Sequence, residues 1–414
     1  MEKDTQFKKN FIWNILGTGL NAFNSLFFLI AVTRINGVEN AGIFTIAFAT
    51  ACIVYVIGIY AGRIYQVTEP DKTITNKDYI INRIITVFLM NVFVLIFCCI
   101  RGYDFYKTIM FVLLTFFKSL EAFSEVIYGI FQKNDKLELV GKSLFLKSII
   151  SICGFIVFDI ITKNMMLSVV FVIIIWIAIL ILFDIKKAIE YIDFSFKANY
   201  KNIIKIFKHG FTTFSIAFLG LYILNAPKYA IDTYLSDDIQ TIFGIIVMPA
   251  TVIGLVAQFL IHPFLNQILK TYEDRNLKEL RKIIIKLILT IAGIGLVASI
   301  LAYFFGIQVL GFMYGIDLSL YRTGLLIIIV SATLYTIGVI YSSVLTTVRE
   351  TFSQFIIYII ISIFALVVSN VFTQRWNVDG AILAYLMIMG LQFLLYIIYT
   401  NIRLKVIFNR EINE

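Results

Sequence analysis

The sequence predicts an all-α integral membrane protein of about twelve transmembrane helices in two six-helix bundles. Three observations predict it. Of 414 residues, 60% are hydrophobic and only 15% charged, whereas soluble domains carry about a quarter charged residues. Apolar runs of about 20 residues, the length that crosses a hydrocarbon core, recur from end to end. Near the middle, 185–210 interrupts them and carries six lysines, from Lys186 to Lys208.

The runs place spans at 11–33, 41–62, 80–100, 105–128, 143–161 and 166–184, then 211–231, 241–268, 283–306, 321–346, 354–373 and 380–403. They are too long and too uniformly apolar for barrel strands, and only helices and closed barrels satisfy the backbone in lipid. The organisation expected is an N-terminal bundle over 1–184, a basic linker over 185–210 and a C-terminal bundle over 211–414. Lysine and arginine gather in alternate segments, which puts both termini and the linker in the cytoplasm. Lys118 is the one basic residue this count places inside a span. The outer loops are at most about fifteen residues, and no stretch is left for a soluble catalytic domain.

The net charge of +9 follows from positive-inside topology and implies no nucleic acid. Cys52, Cys98, Cys99 and Cys153 fall inside spans with no zinc or redox spacing. His209 and His262 belong to different elements, and no phosphate loop or nucleophile motif is present. No metal, cofactor or catalytic residue is expected. The first apolar run lacks a small-residue cleavage site and reads as a retained span.

The halves resemble each other. Phe7-Lys8-Lys9-Asn10 opens the first and Phe207-Lys208-His209-Gly210 the second; Ile43-Phe44 and Ile242-Phe243 repeat the offset of about 200 residues. A parallel repeat of six spans suits alternating access around a central site.

Polar residues inside spans mark the candidate site. Span one carries Asn14, Thr18, Asn21 and Ser25 on one helical stripe, with Asn24 beside it. Such a stripe either hydrogen-bonds neighbouring helices or lines a wet cavity. Span four carries Lys118, Glu121 and Glu125 on one face. Lys118 and Glu121 can pair within the helix, or the face forms the polar wall of a cavity with Glu121 and Glu125 as ion-coupling groups. Span seven carries Asn225-Ala226-Pro227-Lys228-Tyr229 and then Asp232. Pro227 removes a backbone donor and is a candidate hinge. Lys228 is either a snorkelling lysine or an anion contact that Asp232 holds when the site is empty.

Arg34-Ile35-Asn36-Gly37-Val38, followed by Gly42-Ile43-Phe44, resembles the loop after span one of the polysaccharide transporter family, where the pattern is Arg-x-Leu-Gly-Pro and then Gly-x-aromatic. Asn36 and Val38 stand where that family has Leu and Pro. Phe131-Gln132-Lys133 is similar to its Phe-Gln-Gly, Asn225-Ala226-Pro227-Lys228-Tyr229 to its Asn-x-Pro-Arg/Lys-Tyr, and Asp379-Gly380-Ala381 to the Gly-Ala that opens its last span.

The resemblance covers the whole layout through short motifs. It implies an oligosaccharide-lipid flippase of the O-antigen or capsule type, in the superfamily that also holds multidrug and toxin extrusion transporters. It further implies V-shaped lobes around a cationic cavity and the bacterial plasma membrane as location. The implied substrate is an undecaprenyl-diphosphate-linked repeat unit, and polymerase and chain-length proteins would be its partners. Asn14, Asn21, Asn24 and Asn225 would meet sugar hydroxyls, and Arg34, Lys118 and Lys228 the diphosphate. The competing readings are a small-molecule exporter of the same fold and a membrane enzyme. For a polysaccharide polymerase the outer loops are too short.

Overall fold

The computed structural model describes residues 2–60, 62–69, 73–192 and 199–410, and every regular element among them is helical. Part of the basic linker, 193–198, lies outside the described residues. Two compact units divide the chain, Met1–Phe218 and Leu219–Glu414.

The first unit begins with α1 (Glu2–Ala22) and α2 (Asn24–Asn36), which break at Phe23 within what reads as one apolar run. α3 (Val38–Ile59) follows, then the short α4 (Gly62–Thr68), α5 (Asn76–Arg101), α6 (Phe105–Lys133) and α7 (Leu137–Thr162). α8 (Met165–Ile179) continues into a wider π-helical stretch, Leu180–Ile185, and the one-turn α9 (Lys186–Ala188). α10 (Tyr200–Tyr234) starts about one helical length before its apolar run and crosses the boundary between the units.

Small residues let α1 and α7 pack closely. A Cβ on Gly17 of α1 would strike the Gly141 backbone of α7, and one on Gly141 would strike the Trp13 carbonyl. Backbones that approach this closely gain van der Waals contact where lipid supplies no hydrophobic drive. Thr75 and Asp78 form a capping box at the start of α5. The same Asp78 carboxylate accepts from the Asn199 backbone at 2.7 Å and from Asn202 Nδ2 at 2.9 Å, fastening the start of α10 to the first unit.

The second unit holds the rest of α10, then α11 (Asp237–Ile261), α12 (Leu265–Glu273), α13 (Leu277–Leu301), α14 (Ile307–Tyr314), α15 (Arg322–Thr347) and α16 (Thr351–Arg410). α16 is two helices joined at Trp376 and Asn377, where Asn377 takes φ 52°. A Cβ on Gly380 would strike the Phe372 carbonyl, so the Gly of Asp379-Gly380-Ala381 is what lets the second helix close on the first.

Ten stretches among the described residues are long and apolar enough to cross a membrane, and α16 carries two of the twelve expected spans within one such stretch. α6 adds the remaining span; its charges keep it off a composition count. The chain is a multi-pass membrane protein.

Candidate functional site

In the first unit the structure joins residues from two predicted stripes. Lys118 Nζ donates to Glu121 Oε2 at 2.6 Å, one turn along α6. The other carboxylate oxygen accepts from Asn21 Nδ2 of α1 at 3.2 Å. Asn24 Nδ2 donates to Asn21 Oδ1 at 3.0 Å, and Ser148 Oγ of α7 donates to the same oxygen at 3.3 Å. The Lys118 ammonium also lies 5.1 Å from the Phe48 ring and 5.6 Å from the Tyr55 ring, an attraction that strengthens away from water. Only the Lys118–Glu121 pair was legible from spacing; the neighbours come from packing.

The other predicted residues fall around this cluster. The Asn14 carbonyl accepts from the Thr18 hydroxyl, while the Asn14 side-chain oxygen is buried without a partner. Glu125 faces Arg63 at 3.7 Å, a half-buried pair. Arg34 is exposed in the last turn of α2, some thirteen residues beyond Asn21, or about 20 Å of helix. It is not part of the cluster. Asn36, where the resembled family has Leu, donates to Asp159 Oδ2 at 2.5 Å and accepts from the Met165 backbone at 3.0 Å. The departure therefore has a partner of its own on α7.

Asn225, Pro227, Lys228 and Asp232 lie on α10 in the second unit. Asn225 Nδ2 donates to the Leu221 carbonyl at 2.9 Å. The helix runs unbroken through Pro227. Lys228 and Asp232 are half-buried, one turn apart.

Two basic residues counted with the cytoplasmic segments are corrected by the structure. Lys147 and Asp184 form an ion pair at 2.5 Å with both side chains fully enclosed. Lys147 Nζ also donates to Ser124 Oγ at 2.7 Å and to Tyr128 OH at 3.1 Å, and lies 4.8 Å from the Trp176 ring. The π-helical stretch carries Asp184 at this level. Arg83 is the other. Its Nη1 donates to the Gly58 carbonyl at 2.5 Å and Thr86 Oγ1 to the same oxygen at 2.6 Å, which satisfies a carbonyl freed where α3 ends. Lys147 and Arg83 each stand within a turn of a predicted span end, so the charge count assigned them to loops; Asp184 sits at the very end of its run.

Ser148 follows Lys147 on α7, and Ser124 stands between Glu121 and Glu125 on α6. The two clusters are thus neighbours along α6 and α7 inside the first unit and together make its interior charged and polar.

No family model matches the chain. A capsular polysaccharide biosynthesis protein, CapF, of Staphylococcus aureus is 27% identical over 312 residues, 74% of this chain and 77% of that protein. Among solved structures, an inward-facing multidrug resistance MATE family transporter of the MOP superfamily matches with a TM-score of 0.68 at 12% identity, covering 95% of each chain. The chain has the fold of these transporters. The Vibrio cholerae MATE transporter VcmN in the bent form gives a TM-score of 0.63 at 12% identity over 97% of this chain and 98% of its own. A MOP superfamily transporter from Pyrococcus furiosus, titled for the reverse polarity of its binding pocket, gives 0.56 at 14% identity, over 97% of this chain and 95% of its own.

Proposed function

We propose that this protein is a flippase that moves polyprenyl-diphosphate-linked oligosaccharide repeat units from the cytoplasmic to the outer leaflet of the bacterial plasma membrane, for capsule, O-antigen or exopolysaccharide synthesis. The observation that carries the reading is the capsular polysaccharide biosynthesis relative, aligned over most of a chain whose fold is a transporter's. Transport proceeds by alternating access of the two units.

The roles follow from chemistry. Amides at Asn21 and Asn24, with the Ser148 hydroxyl, offer the donors and acceptors that sugar hydroxyls need; Asn14 and Asn225 extend the set. Lys118 and Lys228 are the diphosphate contacts, and Arg34 meets the headgroup at the outer end. Lys118 is engaged by Glu121, so the anion must compete with a carboxylate. Glu121, which holds the ammonium, is the ion-coupling group at this position. Glu125 and Asp232 are the further coupling groups. Polymerase and chain-length proteins receive the product.

A second reading, an ion-coupled exporter of small molecules, is favoured by the multidrug transporters among the structural neighbours. Deletion of the coding sequence separates the two. Loss of surface polysaccharide with unchanged drug susceptibility supports the flippase; altered susceptibility with intact polysaccharide supports the exporter. In complementation, Lys118→Met should fail.

A further inference from the structure

Inside the second unit, one row of polar side chains is nearly as long as a hydrocarbon core is thick and is only partly satisfied by protein. On the first half of α16, Gln354, Tyr358, Ser362, Ser369 and Thr373 share a face, and all are buried. From Gln354 to Thr373 the row is about 28 Å long at 1.5 Å per residue, close to the roughly 30 Å hydrocarbon core. At the Gln354 end its groups are paired. Ser342 Oγ of α15 donates to Gln354 Oε1 at 2.7 Å, and Gln354 Nε2 donates to Thr346 Oγ1 at 3.1 Å.

Deeper, pairing stops. The hydroxyls of Ser362, Ser369 and Thr373 have no partner, nor does Thr336 on α15, nor either amide atom of Gln392. A helical hydroxyl usually escapes this cost by bonding the carbonyl one turn back, as Ser331, Thr333, Ser343 and Thr347 do on α15. The row does not. Its members are brought together by the hairpin register, set by Arg403 on Glu350, Tyr399 on Ser353 and Tyr358 against Tyr396. That register places Gln392 level with Ser362. Beside it, a Cβ on Gly338 would meet Gln392 Cγ only at 3.7 Å, so a space the size of a methyl group is open there.

We propose that bound water occupies this seam, centred on Gln392. The orphaned atoms include a donor, Gln392 Nε2, and an acceptor, Gln392 Oε1, together with hydroxyls that are both. A cation would serve only the oxygens and an anion only the N–H. Water serves all of them, and the row contains no charged side chain to favour an ion. The second unit thus carries a hydrated neutral axis, distinct from the charged interior of the first unit and independent of which substrate is carried.

X-ray radiolytic labelling of the full chain in lipid nanodiscs, equilibrated with oxygen-18 water, tests this. Hydroxyl radicals formed from bound water modify the side chains beside it, and mass spectrometry reads the incorporated oxygen. Tyr358, Met389 and Tyr396 are buried, yet should be modified several-fold above Phe155, which is equally buried against the rings of Phe28 and Phe44. Gln392→Leu should remove the excess at Met389 and Tyr396. Labelling of all three no higher than Phe155 in the unmodified protein would overturn the proposal, whether or not the variant folds.

Discussion

Removing the Lys147 ammonium should strand a carboxylate in the middle of the first unit, and the structure sets the size of the effect. Asp184 has its ion pair with Lys147 at 2.5 Å, and both side chains are fully enclosed. In Lys147→Met the carboxylate keeps its burial and loses that cation. Breaking one side of a buried pair costs about 3–5 kcal/mol. Asp184 can escape by taking a proton, and holding an ordinary aspartate protonated at pH 7 costs about 4 kcal/mol. The expected loss is therefore about 3–4 kcal/mol at neutral pH, shrinking by about 1.4 kcal/mol per unit of acidification. Asp184→Asn should cost a similar amount. Lys147→Met combined with Asp184→Leu should recover most of the loss, because an apolar replacement of both partners is often neutral or stabilising. Denaturant unfolding in micelles at two pH values, run as a double-mutant cycle, measures each term. Additive losses in the double variant, or a loss in Lys147→Met that does not shrink with acid, would refute the reasoning.

Three further outcomes are expected. Gly141→Val should push α1 off α7 and lower stability by about 1–3 kcal/mol, whereas Gly19→Ala, with open space around it, should change little; thermal unfolding compares them. Gly380→Ala should destabilise the α16 hairpin by a similar amount through the Phe372 carbonyl, with Gly390→Ala as the neutral control. Burial pushes the Glu350 carboxyl up, but Arg403, Ser353 and Tyr399 outweigh it and hold the carboxyl below the ordinary range. A depressed folded value stabilises fully above the ordinary glutamate pKa of about 4.3 and is lost as pH falls through the folded one. Unfolding temperatures below pH 4 should thus converge for the unmodified protein and Glu350→Gln.

The spans were legible because lipid enforces them: each needs an unbroken apolar run, and every predicted one has a helix. The ends were less so. α1 and α2 break at Phe23 inside one run, and α10 begins well before its own, held at Asp78 by contacts with Asn199 and Asn202 that no local pattern encodes. Within the site, the Lys118–Glu121 pair followed from helical spacing. Asn21 reaching Glu121 did not, since it depends on α1 lying against α7 through Gly17 and Gly141. Lys147 and Asp184 were missed for a physical reason. A charge within a turn of a span end is cheap if it snorkels, and only a partner from another helix, here placed by a π-helical stretch, shows that it turns inward instead.

The measurement that bears most directly on the proposed function is the leaflet position of lipid-linked sugars in sealed membrane vesicles from a deletion strain. The flippase account predicts complete repeat units trapped on the cytoplasmic leaflet and released by re-expression of the chain. Complete units already on the outer leaflet but unpolymerised, or lipid-linked sugars that do not change at all, would contradict it.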